Sequence, residues 1–147
     1  MADVFDSIER SRVMSLIRSK DTKPELRIRQ GLHRRGYRFR VNVRTLPGKP
    51  DIVLSKYRTV VQIRGCFWHG HSCHDGHLPK TKREYWIEKL SSNTRRDARN
   101  DRRLRNLGWS VIVIWECQCM SNSKCQKSLD RIARFLSARE VIRERSS

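Results

Sequence analysis

Between Cys66 and His77 the chain gathers two thiols (Cys66, Cys73) and four imidazoles (His69, His71, His74, His77) in one short stretch. No apolar periodicity runs through it, so burial alone cannot order it. A tetrahedral Zn²⁺ held by four N or S donors can. A donor distant in sequence would tie such a loop to the fold, and Cys117, two residues after the apolar run ending at Trp115, is the best placed thiol. The spacing is not that of a standard finger, which leaves the choice among the four imidazoles open. The competing explanation is a set of unrelated surface histidines and buried thiols. It is the weaker one, because buried Cys seldom sits among so many imidazoles without a metal.

Two carboxylates also stand out. Asp51 follows Pro50 and leads straight into the apolar run Ile52-Val53-Leu54. There it is either a turn residue or a hard oxygen ligand for a cation such as Mg²⁺. Glu25 lies three residues after Thr22, and with Pro24 between them the residues alone spell a helix-capping box.

These groups need elements to position them. Ser7 to Arg18, with Ile8, Val13, Met14 and Ile17, reads as a thin amphipathic helix. A second helix should start at Thr22, bury Leu26, Ile28 and Leu32, and stop at Gly36. Tyr37, Phe39, Val41 and Val43 alternate with polar residues, the period of a half-buried strand. Ile52–Leu54 and Thr59–Ile63, joined by a short polar turn, predict a β-hairpin. From about Lys82 to Leu107 the pattern is helical, with Ile87, Leu90 and Leu104 inward, and Gly108 ends it. Trp109 to Trp115 is the most apolar stretch and is expected as a central strand. A further helix is expected around Leu129, Ile132, Phe135 and Leu136. The order describes one α/β domain over residues 1–147, with a helical arm (1–20), a core (21–117) and a tail (118–147).

The 147 residues carry a net charge of +18, with basic residues spread along the whole chain, which points to a polyanionic partner. No run approaches a membrane span and the N-terminus lacks the order of a secretory signal, so a cytoplasmic protein is expected. Five Cys in a reducing compartment argue for metal ligation or burial rather than disulfides.

Cys66-Phe67-Trp68-His69 with His71 and Cys73, preceded by Leu46-Pro47-Gly48-Lys49-Pro50-Asp51 and followed by Gly108-Trp109 and Trp115-Glu116-Cys117, resembles the very-short-patch repair (Vsr) mismatch endonucleases. The stretch from Arg18 to Glu25 extends the resemblance, which runs from about Asp3 to Cys117. It implies a restriction-endonuclease-like fold: a mixed sheet of the PD-(D/E)xK type flanked by helices, with a structural zinc site. It also implies a bacterial, Mg²⁺-dependent enzyme that nicks DNA beside the T of a T·G mispair, on the strand carrying the T, where 5-methylcytosine has been deaminated.

Residue by residue, the resemblance assigns zinc to Cys66, His71, Cys73 and Cys117. Mg²⁺ goes to the Asp51 carboxylate and the backbone carbonyl of Ile63. His69 would position or activate the attacking water, and Glu25 would hold water around the metal, reversing the capping interpretation. Phe67, Trp68 and Trp86 would wedge into the duplex from the major groove and Met14 from the minor groove, while Lys89 and Asn93 contact the mispair region. The implied partners are duplex DNA with a T·G mismatch, mismatch-repair proteins of the MutL type and a repair polymerase, with the enzyme itself a monomer near the nucleoid.

One departure matters. The family usually has His where this chain has Arg64, and a guanidinium cannot serve as a general acid or base. Arg64 is left the role of stabilising phosphate charge. Gln62 stands where the wider superfamily has an acid, and its amide oxygen is a candidate to contact a metal or its water. Two other functions compete: a restriction-type nuclease acting on matched DNA, and a catalytically silent zinc-containing DNA-binding protein.

Overall fold

The fold is seen in a computed structural model that describes residues 22–67, 69, 71 and 80–146, with side chains as far as residue 140. The expected first helix with Met14, and loop positions Trp68, Cys73, His74 and His77, lie outside the described residues. Among the described residues, helix α1 (Lys23–Arg34) is followed by strands β1 (Arg40–Val41), β2 (Ile52–Leu54) and β3 (Thr59–Arg64). Helix α2 (Arg83–Asn106), strand β4 (Ser110–Trp115) and helix α3 (Asn122–Ser146) complete the order. The sheet runs β1-β2-β3-β4, antiparallel except for the parallel β3–β4 pair. A parallel pair needs a long crossover, and α2 supplies it.

Strand periodicity divides the interior into two layers. Ile52, Leu54, Val61, Ile63, Ile112 and Ile114 face α1 and α3, where they meet Ile28, Leu32, Leu129, Ile132 and Leu136. Val53, Val60 and Val111 face the other way, onto Leu104 of α2. The sheet is therefore covered on both faces, which is why β2, β3 and β4 read as continuous apolar runs rather than alternating ones. The same alternation sends Asp51, Gln62 and Arg64 to the α2 side.

Several expectations are corrected. Among the described residues β4 is an edge strand rather than a central one: its apolarity reflects two covered faces, not neighbours on both sides. Its open edge is blunted where Arg131 Nη2 donates to the Val113 carbonyl at 3.1 Å and the Trp115 N–H donates to Gln118 Oε1 at 2.9 Å. The strand expected over Tyr37–Val43 shrinks to Arg40–Val41, because Asn42 takes a left-handed conformation (φ 49°) and turns Val43 into the opposite layer from Tyr37 and Phe39. Leu26 and Ile87 are exposed, 43% and 44% respectively. In α1 the inward position belongs to Glu25, which shares a face with Ile28 and Leu32.

The residues expected as a C-terminal tail form a short 3-10 turn (Glu116–Cys119) and then α3. The Cys125, Leu129, Ile132 and Leu136 side chains of α3 sit in the main core. Gly108 ends α2 as expected, at φ +93°, with the Trp109 N–H returning to the Leu104 carbonyl at 3.0 Å. No helix among the described residues is long and apolar enough to cross a membrane.

The α1–α3 contact depends on Gly31. A Cβ there would lie 2.2 Å from Leu129 Cδ1, and Leu129 is fully buried. Gly31→Ala should therefore lower stability by about 1–2 kcal/mol in urea denaturation, overpacking outweighing the gain in helix propensity. A neutral or stabilising result would mean that the two helices are not packed at this distance.

Candidate active site and adjoining metal cluster

The hairpin register builds the site. Ile52 pairs with Val61, so Asp51, the next residue out, lies across from Gln62. There Asp51 Oδ2 accepts the Ile63 N–H at 2.7 Å, and Gln62 Oε1 takes the Asp51 N–H at 3.4 Å. Gln62's amide oxygen thus accepts from the backbone, and the residue lines the same cleft as Asp51.

Asp51 and Ile63 line a cleft of about 190 Å³ together with Glu25, Arg64, His69 and Asp97. In all, five of the 15 acidic residues of this basic protein converge here, namely Glu25, Asp51, Asp97, Asp101 and Glu116. Such a concentration suits a cation. Burial pushes the Asp51 carboxyl up to about 7, opposed by the bond from the Ile63 N–H; Glu25 raises it further, and Arg29 and Arg64 lower it. A hard divalent ion between Asp51 and Glu25 would relieve their repulsion, and Asp51's second oxygen and the Ile63 carbonyl are oxygen donors of the type Mg²⁺ takes. The donor set fits.

Glu25 is buried and ion-paired with Arg29 at 3.2 Å. The capping box read from the residues does not form, since the Thr22 side chain makes no capping bond. His69 reaches the cleft because its N–H closes a turn on the Gly65 carbonyl at 3.2 Å, and its Nδ1 meets Asp97 Oδ2 of α2. A proton carried on Nδ1 can be donated to that carboxylate, and in that tautomer Nε2 faces away as the acceptor.

Arg64 also has partners on α2. Its Nη2 donates to both oxygens of Asp101, at 2.7 and 2.8 Å, and its Nε lies 3.9 Å from Asp97 Oδ2. The guanidinium thus pairs with carboxylates while lining the same cleft as Asp51.

Three of the four expected zinc ligands come together: Cys66, His71 and Cys117 place their donor atoms within 4.8 Å of one another. Cys66, Cys117, Cys119 and Cys125 are free thiols. Cys117 Sγ lies 3.7 Å from His71 Nδ1. A tetrahedral edge built from bonds of ~2.3 Å to sulfur and ~2.0 Å to nitrogen is about 3.5 Å. The group is compatible with zinc, and the His71 N–H on the Cys66 carbonyl at 2.9 Å shapes the loop for it.

Of the expected DNA contacts, Phe67 and Trp86 pack edge to face at 5.3 Å in a small cluster with Leu90, apart from the main core. Trp86 and Asn93 are buried, and Lys89 lies at the rim of an adjoining groove with Tyr85, Ser92 and Arg96.

Residue reasoning missed three contributors. Asp97 and Asp101 are the two acids between Arg95 and Arg105 and fall at i, i+4, one helical face, which was the available signal. Trp115, the last residue of β4, stacks on the His71 ring with centroids 4.1 Å apart.

The raised Asp51 group predicts a pH dependence. The folded state keeps a proton that the unfolded chain releases near 3.8, so without divalent metal stability should fall as pH rises from about 4 to 7. Asp51→Asn should remove this slope and at pH 8 be more stable than the parent by on the order of 1–3 kcal/mol. Urea titrations at both pH values check it, and parallel pH curves would disprove it.

Comparison with known proteins gives a consistent picture. The family described as DNA mismatch endonuclease Vsr matches residues 2–75. The Type II nicking enzyme V.NmeAIP of Neisseria meningitidis is 48% identical over 134 residues, covering 91% of this chain and 96% of its own length. The DNA mismatch endonuclease Vsr of Escherichia coli is 44% identical over 124 residues, covering 84% of this chain and 80% of its own. The Type II nicking enzyme V.XorIIP of Xanthomonas oryzae is 45% identical over 118 residues, covering 80% of this chain and 87% of its own.

Proposed function

The chain belongs to the Vsr family of DNA mismatch endonucleases, and from that premise we propose that it nicks duplex DNA beside the T of a T·G mispair, on the strand carrying the T. One observation carries the catalytic part: Asp51, Glu25, Ile63 and the His69–Asp97 pair meet in a single cleft although they come from α1, the hairpin, the following loop and α2. A silent DNA-binding protein would have no need of that convergence. Relatives named as nicking enzymes support cleavage of one strand rather than two.

In this proposal Asp51 and the Ile63 carbonyl hold Mg²⁺, with Glu25 beside them. Bound there, the ion would neutralise the charge that develops on the phosphate. His69 Nε2 takes the proton of the attacking water, and Asp97 stabilises the imidazolium that results. The residues with which the protein grips DNA are those around the cleft mouth. Phe67 and Trp86 belong to a cluster separate from the main core, so they can move into the base stack without unpacking the sheet. A T·G pair lowers the cost of that insertion, which is a few kcal/mol in matched DNA. Cys66, His71 and Cys117, completed by Cys73, hold a structural zinc that anchors the loop carrying Phe67 and His69 to the end of β4.

Two experiments test the proposal. With Mg²⁺ present, a panel of duplexes should show one nick beside T in T·G substrates and far slower cutting of matched T·A; equal rates on both would instead select a restriction-type nuclease. Asp51→Ala should cost roughly 10³-fold or more in nicking while duplex binding survives. For zinc, metal analysis of protein purified without chelators should find one ion per chain, and Cys117→Ser should unfold at markedly lower temperature. A zinc-free protein, or unchanged melting of the variant, would remove zinc from the account.

A further inference from the structure

We propose that Asp101 and Arg64 form a positioning couple for His69. Asp101 fixes the Arg64 guanidinium, and Arg64 holds the Asp97 carboxylate where it receives the His69 Nδ1 proton. What His69 does chemically rests on the endonuclease function proposed above; the chain of contacts does not.

Two close contacts are joined by a longer ion pair. Asp101, 7% exposed, receives two bonds from Arg64 Nη2, at 2.7 and 2.8 Å. Arg64 Nε faces Asp97 Oδ2 at 3.9 Å, and that same oxygen meets His69 Nδ1. Asp97 and Asp101 stand one turn apart on α2, where like charges repel. Arg64 lies against both of them, β3 presenting it at that level because positions 60, 62 and 64 all face α2. The planar fork of arginine suits the task, since it can address two carboxylates from separate edges while lysine offers a single point charge.

A purely structural ion pair is the competing account. It fits less well. Withdrawing several charges from water generally costs more than apolar packing would, so such a network is weak support for stability. This one also ends on the imidazole of the cleft rather than in the core. Removing Asp101 would leave Arg64 free to draw Asp97 away from His69, so the defect should appear in chemistry before it appears in binding.

The test uses the full chain, with Asp101→Asn, Arg64→Gln and the double variant, all assayed at a temperature where circular dichroism shows them folded. Readouts are single-turnover nicking of a T·G duplex, duplex affinity without divalent metal, and the ¹⁵N NMR signals of the His69 ring. Asp101→Asn and Arg64→Gln should each slow nicking at least ~10-fold, with duplex Kd held within about twofold and the double variant no slower than the slower single. His69 should change from one Nδ1–H tautomer to a mixture. Arg64→Lys, which keeps a charge between the two acids, should fold as the parent does and fall between parent and Arg64→Gln in rate. Nicking by Asp101→Asn at the parental rate would overturn the proposal, as would an unchanged His69 tautomer. A loss confined to Arg64→Gln would make Arg64 a direct phosphate ligand instead. Should the parent nick no duplex at all, the endonuclease function fails, while the ¹⁵N comparison still decides whether the couple positions His69.

Discussion

The register of the β2–β3 hairpin is the constraint on which the rest depends. Pairing Ile52 with Val61 places the Asp51 carboxylate within 2.7 Å of the Ile63 N–H and on the sheet face that α2 covers. A slip of one residue would turn Asp51, Gln62 and Arg64 into the opposite apolar layer and bring Ile52, Val61 and Ile63 out toward the charged helix. The register is secured by burial on both faces, so the same apolar contacts that hold the sheet together also fix the geometry of the cleft.

The electrostatics follow from that placement. A chain with net charge +18 is built to be attracted to phosphate, and its own basic surface would repel a divalent cation. Five acids line one cleft, a local concentration that opposes this. The cost of the arrangement is visible in Asp51, whose carboxyl burial drives up to about 7, while Arg64 pairs with Asp101 beside it. The acids are thus gathered in one recess of an otherwise strongly basic chain.

The loop that follows β3 solves a third problem. It carries Phe67 and His69 between the cleft and the small aromatic cluster, yet has no apolar periodicity with which to anchor itself. Its anchorage is lateral, through Cys66 and His71 to Cys117, which stands just past the end of β4. β4 runs parallel to β3 and in step with it, Arg64 opposite Trp115, so the two strand ends arrive at the same level and Trp115 can stack on His71. The crossover through α2 therefore brings the distant thiol to the loop and, along the same helix, Asp97 to His69.

Much of this was legible in the residues themselves. Apolar runs gave the hairpin and β4, glycines gave the ends of α1 and α2, and the Cys and His cluster pointed to Cys117 across a long interval. Those signals are local or compositional, and each depends on one element's own chemistry. The tertiary structure decided what required two elements at once. It made β4 an edge strand, because face coverage and edge pairing look alike in an apolar run. It turned Glu25 from a helix cap into a buried cleft residue, since only packing against the hairpin determines which face of α1 goes inside. And it engaged Arg64 with Asp97 and Asp101, a pairing no periodicity could announce, because the partners of a buried charge are set by the layer that faces it.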